Sequence, residues 1–251
     1  MTAAELLWLD ECARHGVKAP AAEELFVYTD KDESPLSRHL NAIVPVSFAC
    51  VGERIVVSAY QSIRSIICPV IEKYRSEMAL FSPEAFSALD AALRPYLADF
   101  GYRPSAFPPR YGVSLLHEDA AAVHSSVILR GTVQMTDALS GMKNLTSMKT
   151  ADCIVRGAFA HIVNGEIVCI ASVNRVSDME RCVEIGVECA PDHRRHGYAQ
   201  SCVAALTKML CGEGKAVLYR HYHTNEASAA VARSVGFCPV GRFFSYTSFA
   251  I

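Results

Sequence analysis

The chain has 251 residues and a formal net charge of −2, with 51% hydrophobic and 20% charged residues. This is ordinary globular composition, enough for one large domain or two modest ones, and it argues against long disordered tails. It also lacks the clustered Lys and Arg that phosphate-backbone binding needs, so no nucleic-acid partner is expected.

Residues 3–15 read as a helix, and 40–49 and 54–59 as two strands joined by a Val51-Gly52-Glu53 turn. Across 61–74, Ile63, Ile66, Ile67, Val70 and Ile71 recur at helical spacing, with Pro69 as a kink. The next helix has Ser82 as N-cap and Pro83 in its first turn. Phe86, Leu89, Leu93, Tyr96 and Leu97 line one face of it toward Phe100, and Pro95 is a second kink. Residues 101–109 contain Gly, Ser and three Pro and are read as a domain boundary. The expected division is therefore an accessory α/β domain over 1–105 and a second domain over 106–251. Between 111 and 149 only a short helix, 118–126, is assigned.

Beyond Cys153 the pattern sharpens. Two apolar runs, 158–163 and 167–173, flank Asn164-Gly165, a strong hairpin signal. Residues 184–189 alternate, with Ile185, Val187 and Cys189 on one face and Glu184, Gly186 and Glu188 on the other; Pro191 ends that strand. Tyr198, Cys202, Val203, Ala205, Leu206, Met209 and Leu210 then follow helical spacing until Gly212 and Gly214. A strand over 216–222, a helix over 225–235 stopped by Gly236, and a closing strand region over 240–249 complete the reading.

The first nine residues carry Glu5 and no basic residue ahead of a short apolar stretch, unlike a secretory signal. The longest uncharged run, 40–52, is too short to span a bilayer. The expectation is a cytoplasmic protein with no membrane partner. Its ten cysteines are scattered, mostly in apolar runs and without a C-x-x-C pair, as expected for reduced, core-filling thiols.

The chemistry-bearing stretch is Pro191-Asp192-His193-Arg194-Arg195-His196-Gly197-Tyr198-Ala199, between a strand end and a helix start. First-turn amides lack intrahelical partners and sit at the positive end of the helix dipole, so this turn suits an anion. Gly197 and Ala199 let backbone approach a phosphate, while Arg194 and Arg195 add charge. By composition alone, a basic glycine-containing loop is more often just a solvated turn.

The string resembles motif A of the GNAT superfamily of N-acetyltransferases, [Gln/Arg]-x-x-Gly-x-[Gly/Ala], and the preceding Glu184-Ile185-Gly186 with Pro191 is similar to the family's "E-I-G…P" run. Asn225-Glu226-Ala227-Ser228, followed by Gly236-Phe237, looks like its motif B. The resemblance covers about 100 residues, in the order strand, loop, helix, strand, helix. It implies an α/β fold, with a mixed, largely antiparallel sheet flanked by helices, following the accessory domain.

It also implies acetyl transfer from acetyl-CoA, as co-substrate, to a small-molecule amine or a protein amino group. The amides around Arg194, Arg195, His196, Gly197, Tyr198 and Ala199 would hold the pyrophosphate. Backbone at Cys189 would run beside the pantetheine and offer a free N–H to the thioester carbonyl. Asn225 and Ser228 would approach the cofactor from the other side, although the same residues also read as a helix cap. Glu184, with Glu188 as runner-up, is the candidate base, each also readable as a plain strand residue.

One departure stands out. The family's Tyr seven residues after the motif B Asn is Ala232 here, leaving Tyr219, Tyr222, Tyr246 or solvent as proton donor. The alternative reading is a non-catalytic acyl-CoA-binding or interaction protein. His221-Tyr222-His223 lacks companions at zinc spacing, so no metal is expected. The acceptor and the oligomeric state are not legible.

Overall fold

The computed structural model describes residues 1–17, 25–31, 42–105, 109–123, 131–135, 157–176 and 182–250. They divide into two units, one of residues 7–113 with 240–251 and the other of 1–6 with 114–239. Helix α1 (Ala3–Arg14) runs across the division.

In the first unit, β2 (Ala42–Val51) and β3 (Arg54–Tyr60) form the expected hairpin, with Val51 opposite Arg54 and Gly52 at φ +58° in the turn. Strand β1 (Phe26–Lys31) lies parallel to β3, Phe26 opposite Ile55. Its apolar stretch ends at Tyr28, before Thr29-Asp30-Lys31, too short to give a strand period, and the sequence reading assigns no strand there. Helix α2 (Arg64–Lys73) follows, then α3 (Glu77–Leu80) and α4 (Pro83–Asp99). The Ser82 hydroxyl accepts the Ala85 N–H at 3.2 Å as the predicted N-cap, and Pro69 and Pro95 both lie inside helices.

Ile63, Ile67, Ile71, Leu89, Leu93 and Leu97 pack against Phe48 and Phe244. Phe244 comes from β11 (Cys238–Ala250), which pairs antiparallel with β2 so that Phe244 stands opposite Phe48. Its far end pairs with β4 (Tyr102–Pro104), so part of the stretch expected as a linker is a strand. The closing strand region therefore completes the first unit's core, and the division falls at 113/114 and 239/240, whereas the sequence reading put it at 105/106.

The second unit runs β5-β10-β9-β8-β7-β6. Its strands are β5 (Gly112–His117), β6 (Thr132–Gln134), β7 (Ala158–Val163), β8 (Glu166–Val176), β9 (Cys182–Cys189) and β10 (Ala216–Tyr222). The β7–β8 turn has Asn164 at φ +53° and Gly165 at φ +80°, the paired left-handed residues of a type I′ hairpin. Strands β6–β7, β7–β8 and β8–β9 pair antiparallel and β9–β10 parallel, while in the other unit β2–β3, β2–β11 and β4–β11 pair antiparallel and β1–β3 parallel, giving the largely antiparallel mixed sheet that was expected.

Helix α5 (Tyr198–Gly212) buries Cys202, Val203, Leu206 and Leu210 and packs on β7, β8 and β9; α6 (Glu226–Val235) packs on α5 and β10. Within the described part of 118–126 there is only a single 3-10 turn, Ala120–Ala122, not the expected helix. The Asp119 carboxylate accepts the Ala121 N–H at 2.8 Å, a local bond that competes with helix extension. Residues 124–126 lie outside the described residues.

His15 at the end of α1 donates from Nδ1 to the Glu11 carbonyl at 2.7 Å. Burial, then Lys31 and Arg14, pull its pKa down to about 4. Unfolded, an imidazole titrates near 6.5, so below that pH the unfolded chain takes up a proton that the fold refuses. Stability should be whole above about pH 6.5 and fall as pH drops toward 4. In denaturant titrations the His15→Gln midpoint should fall less over that window than the wild-type midpoint.

Candidate functional site

Strands β9 and β10 run paired from Ala216 opposite Cys182 to Tyr219 opposite Ile185, and there the ladder ends. Strand β9 continues to Cys189, still paired to β8 with Cys169 opposite Cys189. The Ala190 N–H donates to the Val168 carbonyl on that side at 2.8 Å. Because successive residues of a strand aim their amides at opposite edges, Val187 and Cys189 aim theirs at the β10 side, beyond the last β9–β10 pair. Two N–H groups thus face the gap where the parallel strands part. The sequence reading named only Cys189; alternation makes Val187 its equivalent.

The parting coincides with an irregularity in β8. Its register on β9 shifts between Val173 and Arg175, leaving Asn174 as the extra residue. A Cβ on Gly186 would lie 2.2 Å from the Asn174 amide nitrogen, so this glycine is what lets the Asn174 side chain lie over β9.

From β9 the chain enters a 3-10 turn, Pro191–His193, then a loop with Arg195 at φ +63° and Gly197 at φ +82°. A left-handed Arg is strained and Gly197 is not; together they swing the chain into α5. Gly197 is the N-cap and supplies no side-chain cap, so the first amides of α5 are left for another acceptor. Arg194 Nε donates to the Cys189 carbonyl at 3.3 Å, and His196 Nδ1 donates to the Arg194 carbonyl at 2.8 Å, tying the exposed loop to the strand end. Tyr198 stacks between His161, at 3.7 Å between ring centroids, and His196, at 5.5 Å. His161, on β7, was not singled out from sequence, because nothing local brings β7 to the start of α5. Gly197, Tyr198 and Ala199 are half-buried, whereas Arg194, Arg195 and His196 are exposed.

Glu184 lies on β9 just before the gap, and its carboxylate meets Arg220 Nη1 of β10 at 3.4 Å; both side chains are mostly buried. Arg220 Nε also donates to the Ser114 hydroxyl at 3.3 Å. Arg220 could be found only through the β9–β10 register, which places Leu218 opposite Glu184 and Arg220 two residues on, on the same face.

On the other flank, Asn225 Oδ1 accepts the Ser228 N–H at 3.1 Å and caps α6. The Ser228 hydroxyl is 2.8 Å from the Tyr219 hydroxyl. Burial raises the Tyr219 pKa, opposed by that bond, so the phenol is neutral. Of the other phenols, Tyr246 lies in the first unit and donates to Asp90 at 2.6 Å, and Tyr222 is exposed. Ala232 is fully buried. His221 Nδ1 donates to the Tyr222 carbonyl, and among the described residues no group of three or more His, Cys, Asp or Glu is placed to hold a metal. No helix among them is long and apolar enough to cross a membrane. Asn225→Ala should lower unfolding stability by about 1 kcal/mol through loss of the cap, and Asn225→Asp should restore most of it, as read by denaturant titration.

Residues 156–246 match the family model described as GNAT acetyltransferase. No curated protein matches the sequence. Among solved structures, the chain is similar to a putative GNAT-family acetyltransferase from Novosphingobium aromaticivorans, at 14% identity and a TM-score of 0.44 over 60% of this chain and 68% of that one. It is also similar to a GNAT-family acetyltransferase from Colwellia psychrerythraea, at 16% identity and a TM-score of 0.39 over 59% of this chain and 58% of that one. The match to the GNAT acetyltransferase model spans the parted strands, the loop and helices α5 and α6, so this segment resembles that family.

Proposed function

We propose that the protein transfers an acetyl group from acetyl-CoA to an amine, by direct attack of the amine on the thioester. The observation that carries this reading is the pair of N–H groups, Val187 and Cys189, aimed into the gap beyond Ile185 and Tyr219, next to a helix start with no side-chain cap. The match of residues 156–246 to the GNAT acetyltransferase family model supports it.

Bound acetyl-CoA supplies the activated acyl carbon. The first amides of α5, at Tyr198 and Ala199, with Gly197 and the loop residues Arg194, Arg195 and His196, take the pyrophosphate. Val187 and Cys189 line the pantetheine as an added strand would, and one of their N–H groups holds the charge that grows on the carbonyl oxygen during attack. Ser228 and Asn225 border the gap from α6. Glu184 accepts the ammonium proton, directly or through one water, while Arg220 orients its carboxylate. Tyr219, at the last β9–β10 pair and bonded to Ser228, is the phenol placed to give a proton to the departing thiolate. The acceptor is a small-molecule amine or a protein amino group.

Calorimetry should detect acetyl-CoA binding to the wild type and lose it in Gly197→Val, where a side chain must occupy a left-handed conformation and crowd the phosphate approach. Absence of binding to the wild type would sink the reading. Binding without release of free CoA across a panel of amines would leave an acyl-CoA-binding protein, the reading that Ala232 favours.

Glu184→Gln should leave acetyl-CoA affinity near wild type and lower turnover at neutral pH by about 10²–10⁴, with partial recovery at higher pH as the amine loses its proton unaided. Normal turnover at neutral pH would make Glu184 a strand residue and pass the role to Glu188 or a water chain.

A further inference from the structure

Three thiols meet beneath the loop. Cys169 of β8 stands directly opposite Cys189 of β9, and Cys202 of α5 directs its thiol at the Cys169 carbonyl at 3.9 Å. The nine cysteines among the described residues are free. Cys169 and Cys202 are fully buried, whereas Cys189 is half-buried at the strand end that leads into the loop.

The Ala190 N–H bond to the Val168 carbonyl makes that neighbouring pair hydrogen-bonded, so Cys169 and Cys189 occupy the alternate, non-hydrogen-bonded position. There opposed Cα atoms lie about 4.5 Å apart and side chains are closest. A disulfide accepts Cα separations of about 4.4–6.8 Å, so this pair can close, but at the short end of the range, where the bond is strained and easily reduced. The two thiols also differ. The neighbouring Cys169 thiol and then Arg194 favour the Cys189 thiolate against burial, while the Cys189 and Cys202 thiols and burial disfavour the Cys169 thiolate. A thiolate-prone, partly exposed sulfur beside a buried thiol is the arrangement of an attacking and a resolving cysteine.

We infer that Cys189 and Cys169 form a reversible disulfide, with Cys189 as the oxidised thiol and Cys169 as the resolving one, and that its formation weakens acyl-CoA binding at the adjoining loop. The oxidant is a hydroperoxide. The Cys189 thiolate attacks its terminal oxygen, the O–O bond breaks, and the sulfenic acid forms with loss of the alcohol, or of water from hydrogen peroxide. Cys169 then attacks the sulfenic sulfur, the S–O bond breaks and water leaves, so two electrons pass from the thiols to the peroxide. The effect on binding has a structural route, and this half of the inference rests on the acyl-CoA reading. The Cys189 thiol reaches the His193 carbonyl at 3.7 Å, and the Cys189 carbonyl holds Arg194. Drawing Cys189 toward β8 breaks the first contact and shifts the second, moving the loop and the Cys189 N–H together.

The test treats the reduced full chain with stoichiometric hydrogen peroxide, maps disulfides by mass spectrometry of non-reduced digests, and measures acetyl-CoA binding by calorimetry before oxidation, after it, and after dithiothreitol. The expected result is a Cys169–Cys189 linked peptide, at least a tenfold loss of affinity, and recovery of both thiols and binding on reduction. In Cys169→Ala the disulfide should be absent, and Cys189 should instead be labelled by a sulfenic-acid trap. Oxidation that yields no Cys169–Cys189 link in the wild type overturns the inference, as does a link that leaves affinity unchanged. If the reduced protein does not bind acetyl-CoA, the functional reading fails with the coupling that rests on it, and the linked peptide alone decides whether the thiol pair stands.

Discussion

The site depends on the parting of two parallel strands. Within a sheet every interior amide is claimed by a neighbour, and a sheet offers backbone donors to a ligand only at an edge or where strands separate. Here β10 leaves β9 after Ile185 and Tyr219 while β8 holds β9 in place through Cys189. Strand β9 therefore keeps a full ladder on one side and presents Val187 and Cys189 on the other. Pairing on the β8 side makes those two donors rigid, and rigid donors need no reorganisation as charge develops. Gly186 and the extra residue Asn174 belong to the same local solution, since the glycine gives the displaced amide its place over the strand.

The loop and helix α5 depend on where β9 ends. Arg194 reaches back to the Cys189 carbonyl, His196 bonds to the carbonyl of Arg194, and Tyr198 is clamped between two imidazoles. These contacts hold an otherwise solvent-exposed turn in one shape, with two left-handed residues. The left-handed Arg195 costs strain that ordinary surface loops avoid, and such strain persists only where surrounding contacts over-determine it. The outcome is a helix start without a side-chain cap near a strand edge whose amides face the gap.

Local chemistry was legible and long-range pairing was not. The Asn164-Gly165 turn, the Ser82 and Asn225 caps, the Gly236 stop and the apolar stripe of α5 are written in a few neighbouring residues each, and the structure has all of them. The loop was legible because Pro191, Gly197 and Ala199 are spaced along one short segment. Strand β11 read correctly as a strand, yet its place beside β2 rests on Phe244 meeting Phe48 across nearly 200 positions, which no local pattern encodes. Arg220 and His161 were invisible for the same reason, since each acquires its meaning from the register of a neighbouring strand or the approach of a helix. Val187 is the exception: strand alternation was in hand, and one hydrogen bond was enough to orient it.

The absence of a phenol at Ala232 weighs less in the proposed reaction than the presence of Glu184. A thiolate can depart without first taking a proton and be protonated by solvent afterwards. An alkylammonium, with a pKa near 10.4, must give up about 4.6 kcal/mol at neutral pH to present its lone pair. Proton removal from the nucleophile is thus the demand that must be met before attack, and a positioned carboxylate is the group that meets it. Arg220 at 3.4 Å fixes the Glu184 carboxylate, and Ser114 holds Arg220 in turn. In the proposed reaction Tyr219, bonded to Ser228, is the phenol that returns a proton to the thiolate from inside the sheet, so none is required at the buried Ala232.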